Sequence, residues 1–135
     1  MDGRPSILIV DDDPSHLQIY TWILNAAGFH SVPALVHGNG IDLPENSSVD
    51  LVLLDYRLTG SMTAVDAAQI LRQRYADARI VVLSDVFGLP SDIAPFVCAF
   101  VRKGQPELLI ATLSKLVNND DRHDSGPEQP GAARR

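Results

Sequence analysis

Residues 7–17, ILIVDDDPSHL, run four aliphatic side chains directly into three adjacent aspartates and a proline. An unbroken apolar run of this length, bounded by polar residues, has the character of a strand buried on both faces, as strands of parallel sheets are. Pro14 has φ pre-set near the helical value and no N–H to lose at a first helical position, so with Asp13 as N-cap it opens a helix. Strand, acidic turn and helix in succession form the first half of a βαβ unit.

The rest of the chain repeats that plan. LVLL at 51–54, IVVL at 80–83 and AFV at 99–101 are further apolar runs, and HSVPAL at 30–35 is a weaker fifth. Pro33 cannot donate to a ladder, which makes that fifth strand an edge strand. Between the runs, Leu17, Tyr20, Leu24 and Ala27 form one helical stripe that ends at Gly28; Ala64, Ala68, Leu71 and Tyr75 form a second. Leu109, Leu113, Leu116 and Val117 form a third, opened by Pro106. GNGIDLPENSS at 38–48 and GLPSDIAPF at 88–96 are broken by Gly and Pro, which predicts short or irregular helices and a stunted fourth helix. Alternating strands and helices imply right-handed parallel crossovers, hence an α/β doubly wound five-stranded sheet between two helical layers. From Asn119 onward apolar periodicity stops and Pro, Gly and charge dominate. This predicts one domain over 5–118 and a disordered tail or linker over 119–135.

Composition narrows the partners. The 135 residues give one hydrophobic core, and 11 basic against 17 acidic residues, with a pI near 4.9, argue against direct nucleic-acid binding. A protein or a metal ion is the expected partner. No apolar run spans a bilayer and MDGRPS lacks the core of a signal peptide, so the expected location is cytoplasmic. The single cysteine, Cys98 in PFVCAFV, leaves no disulfide or thiolate cluster within the chain and reads as a buried small hydrophobe.

In open parallel sheets ligands bind beyond the carboxyl ends of the strands. Those positions carry Asp11, Asp12 and Asp13, then Asp55, then Ser84, with Lys103 two residues beyond the last run. Crowded carboxylates raise one another's pKa or recruit positive charge, and Mg²⁺ suits them because it takes oxygen ligands and bridges to phosphate. Asp11, Asp12 and Asp55 supply three negative charges, and Mg²⁺ with Lys103 supplies three positive. Three aspartates capping one helix is the simpler explanation, but a cap needs one side chain. His16, His30, His37 and His123 lack metal-ligand spacing, and His16 reads as a solvated first-turn residue. Trp22 lies off the first stripe.

The stretches ILIVDDDPS, VDLVLLDYRL, RIVVLSD and FVRKG resemble, in order and spacing, the response-regulator receiver domain of two-component signalling over residues 5–118. The resemblance implies a CheY-like, flavodoxin-like sheet of strand order 2-1-3-4-5. Asp55 would be the phosphoacceptor, charged by a histidine kinase or phosphotransfer domain. Asp12 would ligate Mg²⁺ directly and Asp11 through water, with the backbone carbonyl of Arg57 completing the set. Ser84 and Lys103 would contact the phosphoryl group, and a Ser84–Phe100 switch would report its presence to an output domain or a receiver dimer. The expected role is a signalling switch and not an enzyme acting on other molecules. The helix carrying Trp22 is a docking face in the family, and the spacing around DYRLTGSMTAVDAAQILRQR resembles receivers fused to hybrid histidine kinases.

The chain departs from the family's habit at Gly104, where proline is usual, at Asp85, where a small residue is usual, and in the shortened segment between Ser84 and Lys103. These departures also suit a degenerate receiver that binds partners without phosphorylation. IVDDDPS additionally resembles the nucleophile motif of haloacid-dehalogenase-type phosphatases, but the acidic pair such enzymes need later in the chain is matched only by Asp120 and Asp121, and Asp55 is left without a role.

Overall fold

The computed structural model describes residues 3–45, 48–85 and 88–125, with side chains up to Asn118. In chain order the elements are β1 (Ser6–Asp11), α1 (Pro14–Ala26), β2 (His30–His37), β3 (Gly40–Ile41), β4 (Leu51–Asp55), α2 (Ala64–Arg74) and β5 (Arg79–Ser84). A 3₁₀ turn (Ala94–Phe96), β6 (Ala99–Arg102) and α3 (Pro106–Ser125) follow. The sheet order is β3-β2-β1-β4-β5-β6. Five of these strands are parallel and reproduce the expected 2-1-3-4-5 arrangement.

The sheet has a sixth strand that the expected five-stranded architecture lacks. β3 pairs antiparallel with the end of β2 through Val36 opposite Ile41 and His37 opposite Gly40. A tight hairpin makes this possible: Gly38 sits at φ +60°, a backbone region open to glycine without steric penalty, and Asn39 completes the turn. Pro33 lies upstream of that pairing, where the outer side of β2 has no neighbour, so its missing donor breaks no ladder.

Strand parity assigns side chains to the two faces. Ile7, Ile9, Leu51, Leu53, Val81, Leu83 and Val101 pack with Leu17 and Leu24 of α1 and Leu109 and Leu113 of α3. Leu8, Val10, Val52, Leu54, Ile80 and Val82 pack instead with Ala64, Ala67, Ala68 and Leu71 of α2 and with Ile93 beside the 3₁₀ turn. Both faces are covered, which is why the strands read as continuous apolar runs. The cover is unequal, with two helices on one side and one helix plus a short turn on the other. The fourth helix is stunted, as Pro90 and Pro95 predict. Among the described residues no helix joins β3 to β4.

The ends of α1 follow from local chemistry. The Asp13 carboxylate accepts from the Ser15 amide at 2.9 Å and satisfies one of the orphan donors. Asp13→Ala is expected to lower the urea midpoint of unfolding; an unchanged midpoint would mean that the cap is not populated. At the other end Gly28, at φ +98°, lets its own amide reach the Asn25 carbonyl and the Phe29 amide reach the Leu24 carbonyl. Buried Phe29 and Leu24 close the turn within one cluster.

Two expectations need correction. Cys98 is exposed in the link between the 3₁₀ turn and β6; its amide donates to the Ile80 carbonyl at 2.9 Å, one residue before the strand's alternation begins. Helix α3 continues to Ser125, past the expected break at Asn119. The added turns contain neither Gly nor Pro, so a helix already nucleated by the buried stripe can propagate through Asp120, Asp121 and their neighbours. The last ten positions of the expected tail, 126–135, lie outside the described residues.

Candidate functional site

Asp11 and Asp55 end neighbouring parallel strands, and their odd parity places both on the α1/α3 side of the sheet. Both are almost completely buried, at 2% and 3% exposure. Burial and the adjacent Asp55 carboxylate push Asp11 up to about 6, although the Asp13 amide, donating to Asp11 Oδ1 at 3.0 Å, works against the rise. Lys103, just beyond β6, crosses over β5 to place Nζ 2.9 Å from Asp55 Oδ1. Burial disfavours its ammonium, but the Asp55 and Asp11 carboxylates outweigh that and hold its pKa above the usual value. The Lys103 amide donates to the Ser84 carbonyl at 2.8 Å, which fixes the loop at the end of β5, and Gly104 at φ +85° turns the chain from there into α3.

The other acidic residues divide the remaining tasks. Asp13 caps α1. Asp12 accepts from both the amide and the hydroxyl of Thr59, each at 2.6 Å. Burial alone would raise its pKa, but those two bonds lower it. Sequence reasoning misses Thr59, because it lies 47 positions from Asp12 in a loop without periodicity. The Arg57 amide is 3.4 Å from Asp55 Oδ1, at the position whose carbonyl the family resemblance singles out.

Asp85 does not face the carboxylates. It pairs with Arg57, Nε to Oδ1 at 2.7 Å, and Tyr56 donates to Asp92 at 3.1 Å. Both links join the loop after β4 to the β5–β6 connection. The Arg57–Asp85 pair is exposed on both sides, so it contributes little to stability and serves mainly to place Arg57 over the mouth of the site.

His16 stands in the first turn of α1 with its side chain 42% exposed, and one edge of its ring turns toward the carboxylates. Its Nδ1 lies 3.3 Å from Asp11 Oδ2 and its Nε2 3.6 Å from Asp13 Oδ2. The signal is in the spacing: three residues after the N-cap, a side chain in the first helical turn stacks over the cap. One ligand atom each from Asp11, His16 and Asp55 fall within 4.8 Å of one another. Asp12, held by Thr59, borders that cluster.

Ser84 is fully buried at the end of β5, and Phe100 is half-buried against the α2-side core. Parity puts both on the opposite side of the sheet from Asp11 and Asp55. The donor set suits a hard dication. Two buried carboxylates stand against one ammonium, which leaves negative charge for a cation to offset.

Comparison with known proteins agrees with this geometry. The family profile described as the response regulator receiver domain matches residues 7–93. The DNA-binding response regulator MtrA of Mycolicibacterium smegmatis is 31% identical over 126 residues, covering 87% of this chain and 53% of that protein. MtrA of Mycobacterium tuberculosis is 32% identical over 129 residues, again covering 87% of this chain and 53% of the relative. The chain thus spans about half the length of the curated relatives it matches. A CheY-like receiver domain from Methanospirillum hungatei superposes with a TM-score of 0.74 at 20% identity, over 90% of this chain and 99% of that one. The response regulator TrrA of Thermotoga maritima, solved with Mg²⁺ and BeF, gives 0.67 at 24% identity, over 83% and 98%. An open parallel sheet whose first, fourth and sixth strands deliver two buried aspartates and a lysine to one spot, matched by this profile over most of its length, belongs to the response-regulator receiver family.

Proposed function

We propose that Asp55 accepts a phosphoryl group from the phosphohistidine of a histidine kinase or phosphotransfer domain, and that the chain acts as a switch in two-component signalling. The observation that carries this reading is the buried Asp55 carboxylate, 2.9 Å from the Lys103 ammonium and beside Asp11. An Asp55 oxygen attacks phosphorus, the histidine N–P bond breaks, and an acyl phosphate forms while the imidazole leaves. Lys103 pairs with the incoming phosphoryl oxygens. Asp11, Asp12, Asp55 and the Arg57 carbonyl hold Mg²⁺, which when bound offsets the charge on the transferred group. Arg57, anchored by Asp85, lies at the entrance and lends a second positive pole.

Phosphorylation then draws Ser84 toward the new group and lets Phe100 turn inward, a local charge change biasing a two-state packing. Trp22 and Ile19 of α1, 74% and 52% exposed, supply apolar surface beside the site where a kinase or phosphotransfer helix can dock. The MtrA relatives are named as DNA-binding regulators, which supports an output domain as the downstream partner. No helix among the described residues is long and apolar enough to cross a membrane.

Incubation with acetyl phosphate and Mg²⁺, read by intact mass, tests the proposal. One phosphate should be gained by the native chain and none by Asp55→Asn. No gain in either would leave a phosphorylation-independent binding module, and phosphoester turnover that depends on Asp11 would leave a hydrolase.

A further inference from the structure

The imidazole of His16 is the one element of the site for which phosphoacceptor chemistry has no use. Its Nδ1 is shut off from solvent and has no hydrogen-bond partner, although it lies 3.3 Å from Asp11 Oδ2. A buried imidazole nitrogen left without a partner costs free energy unless something else satisfies it. Asp11 is the carboxylate beside this nitrogen, Asp13 lies 3.6 Å from Nε2, and one oxygen of Asp55 lies within 4.8 Å of the ligand atoms of Asp11 and His16. With its proton on Nε2, toward Asp13, the neutral imidazole presents its lone pair at Nδ1, and an ionised carboxylate has no donor to offer it. A cation satisfies all three at once.

We propose that His16 is a nitrogen ligand to the dication held by Asp11 and Asp55, so that this site favours a first-row transition ion over Mg²⁺. The inference rests on the reading of that cluster as the phosphoacceptor's cation site. Two ligands about 2.1 Å from one ion lie at most about 4.2 Å apart, so the three atoms, within 4.8 Å of one another, come into a single first coordination sphere on a closure of a few tenths of an ångström, about what a small side-chain rotation supplies. Mg²⁺ prefers oxygen and keeps its waters, whereas Mn²⁺, Co²⁺ and Zn²⁺ accept imidazole, with affinity rising along that series to Co²⁺ and beyond. Asp12 accepts from Thr59 through Oδ2 alone and keeps its other oxygen for the ion, and His16 adds a nitrogen beside the two buried carboxylates. Asp11, Asp12 and Asp55 against Lys103 leave two negative charges, which a dication neutralises ahead of an incoming phosphoryl group.

Equilibrium titration of the full chain with Co²⁺ and with Mg²⁺ at pH 7.5, for the native sequence, His16→Ala and His16→Gln, tests the assignment. Visible absorption of Co²⁺ and calorimetry for both ions give the affinities. Both substitutions should weaken Co²⁺ at least tenfold, change Mg²⁺ by less than threefold and lose the nitrogen-ligand signature in the Co²⁺ spectrum. Equal effects on the two ions, or unchanged Co²⁺ affinity, overturn it. Because His16→Gln keeps a polar side chain on the same helical turn, a loss seen with alanine alone also overturns it. Formation of the beryllofluoride adduct with Mg²⁺, followed by ¹⁹F NMR in the same proteins, separates the two claims. An adduct without His16-dependent selectivity removes this inference and leaves the phosphoacceptor reading; selectivity without an adduct does the reverse.

Discussion

Lys103→Ala is expected to lower folding stability by roughly 3 kcal/mol at neutral pH in the absence of divalent ions. The ammonium sits 2.9 Å from Asp55, which is 3% exposed, and its removal leaves two buried carboxylates facing each other without a counter-charge. Lys103 itself is 22% exposed, so water recovers part of the loss and the value belongs at the lower end for a broken buried pair. The penalty comes from the stranded charge and not from lost packing, which a double-mutant cycle can show. Asp55→Asn in the Lys103→Ala background should restore most of the stability. Urea unfolding of the four proteins measures this, and a Lys103→Ala penalty that is the same with and without the Asp55→Asn substitution would rule out the pairing as the cause.

Asp11→Asn should do the opposite. It should stabilise the metal-free protein at pH 7.5 by on the order of 2 kcal/mol, worth several degrees in Tm for a chain of this length. The Asp11 carboxyl ordinarily titrates near 3.8 and here is pushed up to about 6. The folded state therefore holds the proton more tightly than the unfolded chain does. Its contribution to stability is complete below about pH 4 and is lost as the pH rises through about 6. Asparagine has no charge to release, so the substituted protein should lack that decline. The amide oxygen can still accept from the Asp13 N–H, which preserves the turn into α1. A saturating dication should raise the Tm of the native chain well above that of the variant, because it binds the folded state alone. Thermal unfolding from pH 4 to 8, with and without Mg²⁺, checks both statements; a native Tm with no fall between pH 4 and 6 relative to the variant would contradict the assignment.

The runs in β1, β4 and β5 were legible because they are buried on both faces, where sequence and burial coincide residue by residue, while in β6 Ala99 and Phe100 are only half-buried and Val101 carries the burial. Legible too were the cap at Asp13, the stop at Gly28 and the broken fourth helix, each fixed by one or two residues with restricted backbones. β3 was not, because two residues carry no period and the hairpin that makes it depends on Gly38 alone. Within the site, Asp11, Asp55 and Lys103 could be placed from strand ends, since parity and sheet order determine where they converge. Thr59 on Asp12 and Arg57 on Asp85 could not, being side-chain contacts between loops 47 and 28 positions apart. Cys98 misled because its apolar neighbours belong to the strand and it does not.

The sheet also separates two kinds of substitution. The carboxylates lie on one side of it, under α1 and α3, while Ser84 and Phe100 lie on the other, against α2 and the 3₁₀ turn. The side chains packed around Phe100 can be substituted without touching the carboxylates. Substitutions on the buried face of α1 reach the opposite cluster and leave the neighbours of Phe100 in place. The two sides meet at the end of β5, where the Ser84 carbonyl accepts from the Lys103 amide, so one layer of backbone both separates the packing around Phe100 from the carboxylates and ties the two together at that edge.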